Sequence, residues 1–317
     1  MSERSFCVFA MNKTKTVLLA LLTMLLWGSL FPMVKLGFSV YGVVSTADIL
    51  LFAGVRFVIC GSVICAYSAV RDGRSYRTLK GSVVPVLLSG LFSIILHYAF
   101  TYLGLELTAS SKTALIKQMG ALLYVCFSFV FIKQDRPTVQ KIVSAAIGFL
   151  GIAVLNISSD GFTFAVGDAL ILCASFCTVF ANVISKRVFA KVPPVTATGV
   201  SQLFGGAVLL AVGLAMGGRV RFSSGDSIWI MVYICTASIV SYCIWYGIVK
   251  DGELSKLFII KFAEPVFACV FGAIILNENI WQIQYLAAFL LVSGAVWFSN
   301  IKMNQNTNKS SGGRNGI

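Results

Sequence analysis

Charged residues in this chain crowd into short turns. The stretches between them stay apolar for roughly 20 residues, the length that crosses about 30 Å of hydrocarbon. Across 317 residues, 58% are hydrophobic and only 12% charged, against about 25% charged in water-soluble chains. Lipid offers no hydrogen-bond partners, so such stretches must satisfy their backbone internally, as helices. The sequence therefore reads as an all-α membrane protein. Ten transmembrane helices are expected, over residues 16–34, 47–70, 82–102, 107–132, 139–155, 167–189, 195–216, 227–249, 254–276 and 281–301. The first span lacks a small-residue cleavage site and runs into Trp27-Gly28-Ser29, so it reads as a retained helix and not a signal peptide.

The net charge of +13 invites a nucleic-acid reading, which its distribution excludes. With the N-terminus in the cytoplasm and the spans alternating, 18 Lys and Arg fall in cytoplasmic segments and 4 in external turns: Lys35, Lys112, Arg219 and Arg221. This is the positive-inside bias, which puts both termini in the cytoplasm of a multi-pass cell-membrane protein. Residues 1–15 read as a cytoplasmic segment, and the polar residues 302–317 as a disordered cytoplasmic tail. Of nine cysteines, all but Cys7 lie in spans, without a CxxC pair or histidine partner. They read as packing residues, Cys173 and Cys177 included.

A second constraint is internal repetition. Displaced by 143 residues, Gly104 falls on Gly247, Cys126 on Cys269, Ala145 on Ala288 and Gly151 on Gly294. The turn Asp135-Arg136-Pro137 falls on Glu278-Asn279-Ile280. Apolar spans, turns and glycines recur in one order without a gap over about residues 98–156, the mark of a transporter built from repeats. Ten spans divide into two fives, over residues 16–156 and 167–301. An odd number per repeat forces the second copy to enter from the opposite side, so the repeats are inverted and a substrate site is expected near the midplane where they meet.

These residues resemble a known family. Trp27-Gly28-Ser29 followed by Lys35 resembles the opening of an EamA-type repeat in the drug/metabolite transporter superfamily. Gly247, Glu264-Pro265, Asn277-Glu278 and Gly294 resemble the closing half of such a repeat, and Arg56 fits the same pattern. The resemblance implies a secondary transporter and says little about substrate. The first repeat departs from the pattern, with Ala121-Leu122 where the second has Glu264-Pro265.

Three cations stand inside spans: Arg56, Lys117 and Lys261. Each costs about 2.5–3.5 kcal/mol near a helix centre, and such groups mark function by default. Lys261 falls on Gln118 under the repeat displacement, so inversion would set Lys117 and Lys261 on opposite sides of the midplane, facing one cavity. Structural pairing with a carboxylate or with carbonyls is the alternative. Glu264 shares a helix face with Lys261, three residues away, and could neutralise it. Pro265 has no N–H, so the Lys261 carbonyl should lose its helical partner and the ninth helix should kink. Arg56 stands eight residues from Asp48, as a gate ion pair or a structural one.

His97 is open between a proton relay, a ligand donor and an interhelical hydrogen bond. Tyr98 and Tyr102, Tyr242, Trp245 and Tyr246, with Gln118 and Asn182, are candidates for a cavity wall; aromatics also serve as packing. The spacing of Gly213 and Gly217 suggests close helix approach.

No phosphate-binding glycine loop, nucleophile–base–acid set or Cys/His metal spacing occurs. Neither cofactor nor metal nor enzyme activity is expected. The leading reading is a secondary active transporter of a small anionic or carboxylate-bearing metabolite, such as an organic acid, phosphate ester or amino acid. It would work by alternating access, with a proton or counter-substrate as coupling partner, as a monomer or homodimer. The basic pair also resembles plastid phosphate translocators of the same superfamily, where basic residues on the fourth and ninth spans hold phosphate. Alternatives are a multidrug or cationic-compound exporter of the same fold and, more distantly, a channel or intramembrane enzyme.

Overall fold

Backbone that closes its own hydrogen bonds within each segment is the solution lipid demands, and the computed structural model is almost wholly helical. It describes residues 13–126, 139–158, 161–162, 164–221, 225–251, 260–261 and 263–300. Residues 1–12, the Asp135-Arg136-Pro137 turn and the tail at 302–317 lie outside the described residues. The helices are α1 (Lys13–Val40), α2 (Thr46–Asp72), α3 (Val83–Leu107), α4a (Ser110–Lys117) and α4b (Met119–Cys126). After α5 (Val139–Leu155), the pairs Ile157–Ser158 and Gly161–Phe162 form a minimal antiparallel ribbon. There follow α6 (Val166–Phe189), α7 (Pro194–Ala215), α8 (Gly225–Asp251), α9 (Ala263–Leu276) and α10 (Ile283–Asn300).

Six of these, α1, α2, α3, α6, α7 and α8, are long and apolar enough to cross a membrane. Shorter apolar helices occur within α5, α9 and α10. Leu18, Leu150, Ile274, Leu290 and Trp297 are exposed, which suits a surface bathed in lipid.

The closest packing joins α2 to α7. In lipid, helices gain little from apolar burial and associate instead through close van der Waals contact at small residues. Glycines recur every seventh residue on both helices: Gly54 and Gly61 on α2, Gly199, Gly206 and Gly213 on α7. A Cβ added to Gly206 would lie 2.5 Å from the Val58 nitrogen, and one on Gly213 2.5 Å from the Leu51 nitrogen. Cβ atoms on Gly54 and Gly61 would strike the Leu210 and Leu203 backbones. Residue numbers rise on α2 as they fall on α7, so the two helices run antiparallel. At the far end Ser68 Oγ meets Thr196 Oγ1 at 2.7 Å. Gly217 has no part in this seam: it takes φ +81° in the turn after α7, and a Cβ there would meet nothing within 4 Å.

Gly61→Val and Gly206→Val are therefore expected to remove folded protein from the membrane. Gly247→Ala, where a Cβ meets nothing within 4 Å, should leave its yield unchanged. Fluorescence-detected size-exclusion of the three variants decides; normal yield from the valine variants would show the seam dispensable.

Around this pair, α1 packs on α8 and α9, α6 packs on α3 and on both parts of α4, and α5 packs on α10. Helices α2 and α7 also contact α8 and α3, and α4a contacts α9.

Candidate functional site: a polar cavity beside two interrupted helices

The helix that begins at Ser110 is interrupted at Gln118. Helix α4a ends at Lys117, and Gln118 (φ −64°, ψ −18°) turns its N–H to the Leu115 carbonyl at 3.1 Å, a three-residue closure, before α4b begins. The chain turns again at Lys261, 143 residues after Gln118 and just ahead of α9, where the Glu264 N–H reaches the Lys261 carbonyl at 3.1 Å. This corrects the expectation for Pro265. The Lys261 carbonyl keeps a partner, and Pro265 stands in the first turn of α9, where its missing N–H has no helical acceptor to abandon.

Between the breaks lies a cavity of about 110 Å³. Its wall includes every side chain that the sequence nominates for binding: His97, Tyr98, Tyr102, Lys117, Gln118, Asn182, Tyr242, Trp245, Lys261 and Glu264. Arg56 lines it too; Asp48 and Pro265 do not. Sequence reasoning passes over Trp27, Leu30, Phe31 and Val34 of α1 as wall residues. Their spacing, three, four and seven residues from Trp27, marks one helical face. Ser93, Thr101 and Thr178 also join the wall, and nothing distinguishes them in sequence from other membrane hydroxyls.

Gly28 explains how α1 comes so near. A Cβ there would lie 2.7 Å from the Glu264 carbonyl oxygen and 2.9 Å from the Ala268 nitrogen, so only glycine lets α1 touch the start of α9. Trp27 then packs edge-on to Tyr242 at 5.7 Å and tilted on Trp245 at 5.3 Å.

His97 Nδ1 lies 3.1 Å from the Ala174 carbonyl and 3.0 Å from Thr178 Oγ1, while Nε2 faces Lys117 Nζ at 3.4 Å. An ammonium only donates, so Nε2 accepts and Nδ1–H donates to the carbonyl. His97 is therefore a neutral bridge from α3 to α6 that aims Lys117. Lys117 Nζ also sits 5.0 Å from the Phe31 ring centre and Lys261 Nζ 5.8 Å from that of Trp27, both cation–π distances.

Arg56, 1% exposed, donates to Ser238 Oγ through Nε at 3.2 Å and Nη2 at 2.7 Å, and to the Tyr102 hydroxyl through Nη1. Its guanidinium carbon stands 4.9 Å from the Phe57 ring centre. Asp48 does not meet it. Asp48 accepts from the Ser45 N–H at 3.0 Å and the Arg219 N–H at 2.6 Å, and donates its own N–H to the Ser45 hydroxyl oxygen at 3.1 Å, a capping box. The short Asp side chain is spent locally, two helical turns from Arg56, so the expected gate pair does not form.

The ion pair found among the described residues is Lys112–Asp168 at 3.0 Å. Lys261 and Glu264 are thus not in direct contact, and Glu264 is 4% exposed. Among the described residues, three cationic side chains face the cavity against one carboxylate. The Trp27 Nε1 and Thr101 Oγ1 atoms in its wall are buried without a partner, and Tyr98 and Tyr242 join hydroxyls across it at 2.6 Å.

One end of the molecule is fastened by Glu278. Its carboxylate accepts from the Ser110 N–H at 2.7 Å, the Ser111 N–H at 3.0 Å and the Ser111 hydroxyl, capping α4a from a turn 168 residues away. A Cβ on Gly272 would lie 2.7 Å from the Glu278 carboxylate. Burial alone would raise the Glu278 pKa, but the Ser111 hydroxyl and the Ser110 and Ser111 N–H groups outweigh it and hold the carboxyl below its usual range.

Comparison with known proteins gives this arrangement a family. The model of the EamA-like transporter family matches residues 14–157 and 165–300. An uncharacterized transporter of Bacillus subtilis, YvbV, is 24% identical over 92% of this chain and 93% of its own length. An uncharacterized transporter of Archaeoglobus fulgidus is 21% identical over 92% of this chain and 99% of itself. A probable amino-acid metabolite efflux pump of Salmonella typhimurium is 23% identical over 87% of this chain and 92% of itself. A solved crystal structure superposes with a TM-score of 0.63 at 22% identity, covering 91% of this chain and 97% of that one, which shows the shared fold. This chain, a multi-pass membrane protein, belongs to the EamA-like transporter family.

Proposed function

We propose that the protein is a secondary active transporter that moves a small anionic or carboxylate-bearing metabolite across the cell membrane by alternating access at the central cavity. The observation that carries this reading is the charge balance among the described residues: Arg56, Lys117 and Lys261 against Glu264. Each buried cation costs about 2.5–3.5 kcal/mol in a bilayer, and an anionic solute seated between them recovers that cost. Trp27 Nε1–H and the Thr101 hydroxyl add directional donors.

The carrier mechanism rests on ten helices in two inverted repeats, with both termini cytoplasmic. Exchanging each helix of α1–α5 for its counterpart in α6–α10 turns α1 on α8 into α6 on α3, and α1 on α9 into α6 on α4. The pairs α2–α7, α4–α9 and α5–α10 map onto themselves. Such exchange symmetry is what an in-plane twofold axis produces, and two alternative rockings of the halves follow from it.

Purified protein in liposomes is expected to take up labelled small organic acids or phosphate esters with saturation and counterflow. Flux that rises linearly with concentration and shows no counterflow would defeat the carrier reading. A second reading, export of cationic compounds, is favoured by Glu264 standing amid aromatic walls without an ion-pair partner among the described residues; uptake of quaternary amines in preference to anions would select it.

Topology has its own test. Val44, ahead of α2, and Arg74, in the 3-10 helix Gly73–Leu79 that follows it, are exposed at opposite ends of α2. Single cysteines there, in a background of unreactive native cysteines, should label from outside and inside the cell respectively. Labelling of both from one side would contradict the assignment. Ser75 is unsuited to this use, being 3% exposed against Thr196.

A further inference from the structure

Beside the central cavity lies a second polar chamber that the binding reading does not use. It measures about 10 Å³ and shares Ser93, Tyr242 and Tyr246 with the larger cavity. Its polar wall comes from α3 (Ser89), α6 (Ser185) and α7 (Thr198, Gln202). Ser89 and Ser185 join hydroxyls at 2.9 Å. Gln202 and Thr198 have no such partner. Gln202 is 1% exposed with both amide atoms unpartnered, and Thr198 is 7% exposed with its hydroxyl unpartnered.

Three buried polar atoms are each costly to leave without a partner. A space of about 10–15 Å³ accepts one water when two to four polar groups surround it. The Gln202 carbonyl and amide and the Thr198 hydroxyl supply both acceptors and donors. Among the described residues no ionisable carboxylate or cation stands in the wall, so a neutral hydrogen-bonding occupant fits and a metal cation does not. The chamber lies toward the 190–193 turn joining α6 to α7, away from the end that Glu278 fastens.

We propose that this chamber is a second solvent- and solute-binding station, on the route between the central cavity and the 190–193 end. Resting on the transporter reading above, it holds a single water in this conformation. Gln202 and Thr198 then hydrogen-bond polar atoms of the solute as it passes. A purely apolar constriction would strip those atoms of water without replacing it. Tyr242 and Tyr246 of α8 line both spaces, so the two share a wall.

The test uses the full-length protein in liposomes with an organic anion that wild type transports. Gln202→Leu should keep anion binding at the central cavity within about twofold, because it does not line that cavity, and should slow counterflow at least tenfold. Thr198→Cys, in a background of unreactive native cysteines, should react with a small water-soluble methanethiosulfonate, at a rate that saturating anion changes. Unchanged counterflow in folded Gln202→Leu overturns the proposal. So does a Thr198→Cys thiol that never reacts, and this second measurement decides if Gln202→Leu does not fold. Failure of wild type to bind any anion would instead strike the transporter reading itself.

Discussion

Replacing Lys117 and Lys261 together by methionine is expected to abolish anion transport and at the same time raise thermal stability. A hydrogen bond to a charged group contributes about 1.5–3 kcal/mol, so each substitution should weaken anion binding about 10- to 100-fold. Stability moves the other way, because neither ammonium meets a carboxylate at ion-pair distance and each buried cation is costly in the bilayer. The gain should be larger for Lys261→Met. Lys117→Met strands the His97 Nε2 lone pair that now accepts from Lys117, whereas Lys261 loses only its cation–π contact with Trp27. Melting of purified variants beside counterflow reads both effects. Lower melting temperatures in both single variants would make the cations structural, and undiminished transport in the double variant would move the binding site elsewhere.

The second large effect concerns the fastening at Glu278. Glu278→Ala leaves the Ser110 and Ser111 N–H groups at the start of α4a without acceptors, a loss of about 0.5–2 kcal/mol by comparison with other helix caps. The folded-state pKa is lowered, so the carboxylate's contribution is complete above the unfolded value of about 4.3. It is lost as pH falls through the folded value. The difference in melting temperature between wild type and Glu278→Gln should therefore be flat from about pH 8 to pH 5 and shrink below about pH 4. Equal melting temperatures of wild type and Glu278→Ala at pH 7 would show the capping contact to be idle. A gap that closes instead between pH 8 and pH 6 would assign the effect to another group.

How legible these features are in sequence depends on whether the deciding interaction is local. Span positions are legible because apolar length against the bilayer is a coarse constraint. Helix ends are not: α1 continues through Pro32 to Val40, since a long helix bundled with neighbours tolerates a proline. The cavity wall is legible to the extent that polar side chains in lipid are scarce, and Lys117, Gln118, Lys261 and Glu264 each stand out for that reason. The break at Gln118 is hidden, because neither glycine nor proline marks it; only its repeat counterpart at Lys261 does. The Asp48–Arg56 pair fails because separation along the chain says nothing of Ser45, which captures Asp48 from three residues away. The cap from Glu278 to Ser110 is illegible at 168 residues' separation, although Ser110-Ser111 before an apolar run is itself a start signal. The glycine seam was readable from its seven-residue period, while the shorter Gly213–Gly217 spacing points to the wrong partner.

The central claim is that the cavity between the two helix breaks selects a negatively charged solute by its excess of cations. Equilibrium binding to the purified wild-type protein tests it most directly, using matched panels of small carboxylates, phosphate esters, their neutral amide or ester isosteres, and amines of similar size. The account predicts that anions bind, that the neutral isosteres bind at least tenfold more weakly, and that the Lys117→Met, Lys261→Met double variant loses the distinction. Preferential binding of amines, or anion binding that survives unchanged in the double variant, would contradict it.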